Sequence, residues 1–227
     1  MTRTPSEAGA GSVAAAMNAM YRVLGSLFLP PTDERMATLV TAVPELRRLT
    51  APLDGLPGAR AWASVLDDLA SVDDDELARM GSDFTSMFLS GSRELAVQPY
   101  ESSHVQVSEY DVATVSAAVE SCYRRAGVEP TSRGELPDHL AVELEFCAYL
   151  CHREGEADDG PSASRWRADR AAFLTEHLLR WVDVFATEIS RAQPASRYAP
   201  WAAAARAVAE DDLIVMDALR AGTPAGG

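Results

Sequence analysis

Apolar side chains recur every three or four residues along most of the chain, which is the spacing of amphipathic helices. In the first such segment Met17, Met20, Leu24 and Phe28 fall on one face. No stretch shows the alternation of a half-buried strand. The predicted helices cover residues 13–28, 33–49, 59–69, 74–89, 109–126, 138–153, 165–191 and 199–219. We therefore predict an all-α protein, a single globular domain of about eight helices that could form N- and C-terminal subdomains.

Turn and capping residues set the predicted boundaries. Thr32 or Asp33 is expected to cap the second helix. Gly127 is expected to end the helix predicted at residues 109–126. The helical domain is expected over residues 13–220, after a disordered N-terminus at 1–12 and before a disordered tail at 221–227. Residues 154–164 are rich in glycine, aspartate and proline, which predicts a linker-like loop.

Composition narrows the function classes. The 227 residues include 34 acidic and 20 basic side chains, a formal net charge of -14. This balance argues against nucleic acid as a partner, because phosphate backbones require clustered positive charge. No apolar run approaches the ~20 residues of a membrane span, and the N-terminus does not resemble a signal peptide. Three cysteines are too few for a disulfide scaffold, so we expect a soluble cytoplasmic protein.

Candidate chemistry is concentrated in the predicted helix that follows Pro137. Asp138 and His139 stand at its start, and Glu143 falls near the margin of its apolar surface. A buried carboxylate costs several kcal/mol unless it is paired or hydrogen-bonded. Glu143 therefore either holds a loop in place or faces a pocket, and Asp138 either caps the helix or belongs to a site.

A metal site on this helix is disfavoured by its geometry. A stripe of side chains at intervals of four residues drifts by about 40° per step, so only adjacent members can share one ion. Other ligands would have to come from His104 or His177, and nothing in their spacing supports this. We expect no metal and no cofactor. The stripe consists of His139, Glu143, Cys147 and Cys151.

Four segments in order resemble the TorD/DmsD family of redox-enzyme maturation chaperones, a group that includes nitrate reductase assembly proteins. The likeness covers most of the chain, from about Tyr21 to Leu219. The segments are Asp-Phe-Thr-Ser-Met-Phe at 83–88, Pro-Tyr-Glu-Ser at 99–102, Pro-Asp-His-Leu-Ala-Val-Glu-Leu-Glu-Phe at 137–146, and Phe173-Leu174 with His177-Leu178 and Trp181.

The resemblance implies non-enzymatic work in the cytoplasm. Family members bind the twin-arginine signal peptide, and sometimes the body, of a molybdopterin-containing oxidoreductase subunit until its cofactor is inserted. It implies a monomer or a homodimer. His104 departs from the family pattern, where an aromatic residue is common, and Cys147 stands where methionine is common. The implied peptide-binding residues are Tyr100, Glu101, Ser102, Pro137, Asp138 and His139, with Phe84 and Phe88 as walls and Glu143 beside them.

The residue chemistry agrees with this role. Asp138 and Glu101 could pair with arginine, whose planar guanidinium suits carboxylates, and Tyr100 could cover an apolar segment of the peptide. Burial of a few hundred Å² at ~25 cal/mol/Å² yields roughly 8–10 kcal/mol before ordering costs, which is compatible with micromolar or weaker binding.

Two other functions remain open on the sequence alone. One is a metal-dependent or hydrolytic enzyme centred on His139, Glu143 and a cysteine. The other is an all-helical sensor that binds a small molecule in the same pocket.

Overall fold

The computed structural model describes residues 9–89, 96–105, 112–128 and 135–222. Within these ranges the chain is helical and has no β-strand, which confirms the all-α prediction. None of the described helices is both long and apolar enough to cross a membrane. The helices are α1 (Ala10–Leu27), α2 (Asp33–Thr50), α3 (Ala59–Ala70), α4 (Asp74–Phe84), α5 (Val112–Arg125), α6 (Leu140–Gly155), α7 (Gly160–Glu176), α8 (Val182–Ala192) and α9 (Tyr198–Gly222).

Helix α6 lies at the centre, with α1 and α7 packed against it. The close approach of α1 depends on Gly25, where a Cβ atom would lie 3.2 Å from the carbonyl oxygen of Ala141. Most of α6 is buried, and the buried residues include even Glu143 and Glu154.

Several predicted helix boundaries are confirmed by capping contacts. Thr32 caps α2 by accepting the backbone N–H of Arg35, and Asp73 caps α4 by accepting the N–H of Glu76 at 2.8 Å. Gly127 follows α5 with a φ of 77°, the left-handed conformation that glycine adopts most readily.

Other boundaries differ from the prediction. Helix α1 begins within the segment expected to be disordered, and α9 extends to Gly222, inside the predicted tail. Helix α4 ends at Phe84, and a π-helical turn at Thr85–Leu89 completes the predicted segment. The remaining predicted disordered residues, 1–8 and 223–227, lie outside the described ranges, as do residues 109–111 of the fifth predicted helix.

The linker predicted at residues 154–164 is much shorter in the structure. Helix α6 continues to Gly155 and α7 begins at Gly160, so only residues 156–159 are non-helical. The linker ends at Asp159. Its Oδ1 accepts the N–H of Ser162 at 2.6 Å and so caps the start of α7. Glycine, aspartate and proline therefore mark a helix start here rather than a long loop.

The prediction of a single helix over residues 165–191 is wrong, because the structure has two helices there, α7 and α8. Helix α7 ends at Glu176, His177 has non-helical angles (φ -125°, ψ -88°), and a 3₁₀ turn at Leu178–Arg180 leads into α8. The break turns the His177 ring toward Glu101, 2.9 Å from it. A long-range polar contact thus overrides local helical periodicity.

A buried ionic network ties four helices together around Arg170 of α7. Its guanidinium donates two hydrogen bonds to Asp212 of α9, at 2.8 and 3.0 Å, and one to Glu154 of α6 at 2.7 Å. The hydroxyl of Tyr21 in α1 donates to the same Asp212 carboxylate at 2.9 Å. Because these side chains are buried, removal of one of them takes hydrogen bonds from its partners inside the protein. We expect such a removal to lower the free energy of unfolding.

We expect Gly58→Ala to destabilise the protein by roughly 1–3 kcal/mol. A Cβ at Gly58 would lie 2.9 Å from the carbonyl oxygen of Ala207, and the N–H of Gly58 donates to Asp211 at 3.0 Å. Chemical denaturation measures the effect. Gly81→Ala in α4 is the matched control, because its added methyl group meets open space and should stabilise the helix by about 0.5–1 kcal/mol. Equal effects of the two substitutions would contradict the packing argument.

Candidate functional site

The two segments singled out by the sequence, 99–102 and 137–140, are joined directly. Tyr100 and His139 form an isolated antiparallel bridge. The N–H of Glu101 donates to the carbonyl of Asp138, and the N–H of Leu140 donates to the carbonyl of Pro99, both at 2.9 Å. The backbone therefore holds the Pro-Tyr-Glu-Ser turn against the start of α6.

Asp138 strengthens this joint with its side chain. Its Oδ2 accepts the N–H of Ser102 at 3.0 Å, whereas its Oδ1 is buried with no hydrogen-bond partner. Both residues are buried, and Asp138 is 0% exposed. Asp138 thus orders the turn at 101–103, and it is sealed from solvent by the segment that it holds.

His139, and not Asp138, is the residue that caps α6. The Nδ1 atom of His139 accepts the N–H of Ala141 at 3.1 Å. Burial lowers the pKa of His139, although Glu135 and Asp138 oppose this. A ring that accepts through Nδ1 and is hard to protonate is neutral, with its proton on Nε2. Asp138 lies one residue before this cap, and its side chain accepts the N–H of Ser102 instead.

Tyr100 forms the solvent-facing part of the site. Its ring packs edge-on against His139 with centroids 5.1 Å apart, and its hydroxyl donates to Glu135 Oε2 at 2.7 Å. Tyr100 is half-buried, Pro137 beside it is half-buried, and Leu136 is 51% exposed. The surface therefore offers an aromatic ring, an aliphatic side chain and a carboxylate next to one another.

Beneath this surface, Glu101 and Glu143 form a buried carboxyl pair. Burial raises the pKa of Glu143 well above its ordinary value, and the charge of Glu101 and a side-chain hydrogen bond between the two groups raise it further. Glu143 Oε2 accepts the indole N–H of Trp181 at 3.1 Å. Oε1 of each glutamate has no donor within the described residues. The raised pKa favours the protonated, neutral form of Glu143 in this pair.

Phe84 and Phe88, the predicted walls of the site, are in contact with each other. They pack edge-on with centroids 5.1 Å apart, in an aromatic cluster that includes Phe185 and Tyr198. Phe84 is 5% exposed. Phe84 is thus a core residue and Phe88 is half-buried, and their role as walls of the peptide site stays a prediction.

His104 links this aromatic cluster to the buried carboxyl pair. Its ring stacks on Trp181 with centroids 5.4 Å apart and packs edge-on against Phe185. Its Nε2 contacts the carbonyl of Gln98 at 2.6 Å. A histidine thus fills a flat aromatic position where the resemblance led us to expect an aromatic residue.

Sequence reasoning missed three contributors to the site: Glu135, His177 and Trp181. His177 and Trp181 belonged to a segment that carried the resemblance, and their wide separation from residue 101 concealed their contacts with Glu101 and Glu143. Glu135 had no distinguishing signal. Only the joint between the two segments brings it to Tyr100.

The two cysteines of α6 lie in the core. Cys147 and Cys151 are 0% exposed, and burial raises the pKa of both thiols well above its ordinary value. Across the described ranges, no set of three or more histidine, cysteine, aspartate and glutamate side chains has an arrangement that could hold a metal ion. Surface cavities of about 480 and 620 Å³ lie elsewhere, beside Trp166 and between Met36 and Leu77.

Comparisons with known proteins agree with the segments named above. Residues 54–187 match the family model described as "Nitrate reductase delta subunit". The chain is 30% identical to the chaperone protein TorD of Aeromonas salmonicida over 128 residues, which is 56% of each chain. It is 23% identical to the chaperone protein TorD of Vibrio cholerae over 88% of this chain and 91% of the relative.

A selenate reductase assembly chaperone protein of Thauera selenatis is 40% identical over 68 residues, 29% of this chain and 35% of that protein. The matched region thus spans little more than half of the Aeromonas chaperone and about a third of the Thauera protein. The relatives are named as chaperones and not as enzymes. The family model covers more than half of the chain, and on that basis this protein belongs to the nitrate reductase delta subunit family, the TorD group of redox-enzyme maturation chaperones.

Proposed function

We propose that this protein is a cytoplasmic chaperone that binds the twin-arginine signal peptide of a molybdopterin-containing oxidoreductase subunit and assists its assembly before export. The main support is the joint between the Pro-Tyr-Glu-Ser turn and the start of α6, which leaves Tyr100 at the surface beside Glu135. The names of the relatives support the chaperone class.

The site residues divide into two roles in this proposal. Tyr100, Glu135, Leu136 and Pro137 contact the peptide: the carboxylate of Glu135 pairs with a guanidinium, and the ring and aliphatic side chains cover apolar residues. A peptide arginine reaches Asp138 only if the turn moves away, because that carboxylate is fully buried. The positioning residues, which hold the turn in place, are Glu101, Ser102, Asp138, His139 and Glu143.

Charge supports the same partner. A formal net charge of -14 attracts a basic leader peptide over distances of about one Debye length, ~10 Å at 0.1 M salt. The attraction mainly raises the association rate, so it should weaken as salt is added.

We expect Tyr100→Ala to weaken binding of a twin-arginine leader peptide at least tenfold, about 1.4 kcal/mol, because an aromatic contact at the surface is lost. Isothermal titration with a synthetic leader of a molybdopterin oxidoreductase from the same genome measures the affinity. Asp138→Ala should also weaken binding, since the N–H of Ser102 loses its acceptor and the turn loosens.

Glu135→Gln and Glu156→Gln form a matched pair for the same titration. Both remove one exposed carboxylate, but only Glu135 touches Tyr100. Glu135→Gln should reduce affinity several-fold, whereas Glu156→Gln should match the parent protein. Circular dichroism checks that each variant keeps its helices. Unchanged affinity for both Tyr100→Ala and Glu135→Gln would refute the site, and absence of binding by the parent protein would refute the function.

A further inference from the structure

A second polar cluster lies behind the candidate site, where α5 packs against the turn at Glu101–Ser103. Cys122 Sγ lies 3.6 Å from His177 Nε2, and Arg125 Nη2 donates to the same sulfur at 3.2 Å. The other nitrogen of the His177 ring lies 2.9 Å from Glu101 Oε2. One sulfur therefore contacts a guanidinium and an imidazole, and a carboxylate orients that imidazole.

The protonation of His177 follows from these contacts. Burial alone would lower its pKa, but hydrogen bonds with Cys122 and Glu101 outweigh burial and raise the pKa of His177 to about 9. At neutral pH the ring is therefore an imidazolium with an N–H on each nitrogen. One N–H points to the carboxylate and the other to the sulfur. The Cys122 sulfur is therefore in contact with two nitrogen donors, the imidazolium of His177 and the guanidinium of Arg125.

Access separates this cysteine from the other two. Cys122 is 9% exposed beneath Arg125, whose side chain reaches solvent, whereas Cys147 and Cys151 are 0% exposed. Burial, together with the charge of Asp212, raises the pKa of both inner thiols. The chain thus carries one thiol suited to reaction and two that serve as internal references.

We propose that Cys122 is a site of reversible modification by low-molecular-weight disulfides, activated by His177 and Arg125. Once the thiol proton has left to solvent, the thiolate attacks one sulfur of the reagent. The S–S bond of the reagent breaks, a new S–S bond joins Cys122 to one half, and the other half departs as a thiolate. The Cys122 sulfur is oxidised and the departing sulfur is reduced, so the exchange needs no other oxidant.

Mass spectrometry of the native protein exposed to oxidised glutathione at pH 7 tests the proposal. We expect one glutathione per chain, located on Cys122 and removed by a reducing thiol. The rate should rise in proportion to reagent concentration, and Cys122→Ser should abolish the adduct. Modification of Cys147 or Cys151 at the same rate would overturn the proposal. So would a rate that does not depend on reagent concentration, because it would mean that only unfolded molecules react.

Arg125→Gln and Arg124→Gln provide a matched pair for the mechanism. Each removes one exposed positive charge from the end of α5, but Arg124 pairs with Glu120 whereas Arg125 contacts the sulfur. We expect Arg125→Gln to slow the exchange about fivefold or more and Arg124→Gln to stay within about twofold of the parent rate. Equal rates for the two variants would overturn the activation. None of these measurements depends on leader-peptide binding, so the two proposals fail separately.

Discussion

Arg170→Ala is expected to lower the free energy of unfolding by about 3–5 kcal/mol, the largest effect we predict for a single substitution. The substitution strips Asp212 of two hydrogen bonds and leaves its buried carboxylate with only the Tyr21 hydroxyl as donor, whereas Glu154 loses one hydrogen bond and keeps its ion pair with Arg167. An uncompensated buried charge is far more costly than the lost contacts themselves. Urea denaturation followed by circular dichroism measures the change.

Two further variants establish the cause. Arg170→Lys keeps the charge but loses the paired donors to Asp212, so we expect an intermediate loss of stability. Arg48→Ala removes an arginine whose pair with Glu45 is exposed, and it should leave the midpoint nearly unchanged. If Arg170→Ala cost no more than Arg48→Ala, the network would not hold the helices together.

Glu143→Gln is expected to stabilise the protein, by roughly 2 kcal/mol at pH 8. The amide of glutamine can still accept the indole N–H of Trp181, and its NH₂ can take the place of the proton that the raised pKa holds on Glu143. The substitution therefore removes a buried ionisable group without removing a hydrogen bond. Thermal unfolding should shift upward by about 2–4 °C per kcal/mol in a chain of this size.

The effect of Glu143→Gln should depend on pH in one direction. The folded state raises the pKa of Glu143, so it binds the proton more tightly than the unfolded state does. This group therefore supports the folded state below its unfolded pKa and loses that support as pH rises toward the folded value. The advantage of glutamine should be small at pH 4 and grow with pH. Glu145→Gln, an exposed neighbour on α6, should show no such trend, and a pH-independent gain would contradict the argument.

Much of the helical framework follows from short-range patterns. The face formed by Met17, Met20 and Leu24 is buried, as its spacing predicts. Thr32 stands at the start of α2 and Gly127 follows the end of α5, as capping preferences predict. These features depend on residues within one or two turns of each other. A single sequence contains all the information needed for them.

The contacts of the candidate site depend on longer distances. The bridge between Tyr100 and His139 agrees with the proximity that the resemblance implied, but the burial of Asp138 behind it was not predicted. Phe84 and Phe88 were expected as walls of the site, and the structure adds that both pack in an aromatic cluster with Phe185 and Tyr198, with Phe84 buried and Phe88 half-buried.

The amino-acid sequence by itself determined the helical class, most helix ends and the two segments that meet at the site. Only the tertiary structure decided which polar side chains are buried together: Arg170 with Asp212, Glu101 with Glu143, and His177 with Glu101. Periodicity describes one helix at a time, whereas a buried charge is tolerated only where packing supplies a partner from a distant part of the chain. The break at His177 is the clearest instance. The local pattern predicts a continuous helix there, and the structure instead places the His177 ring against Glu101.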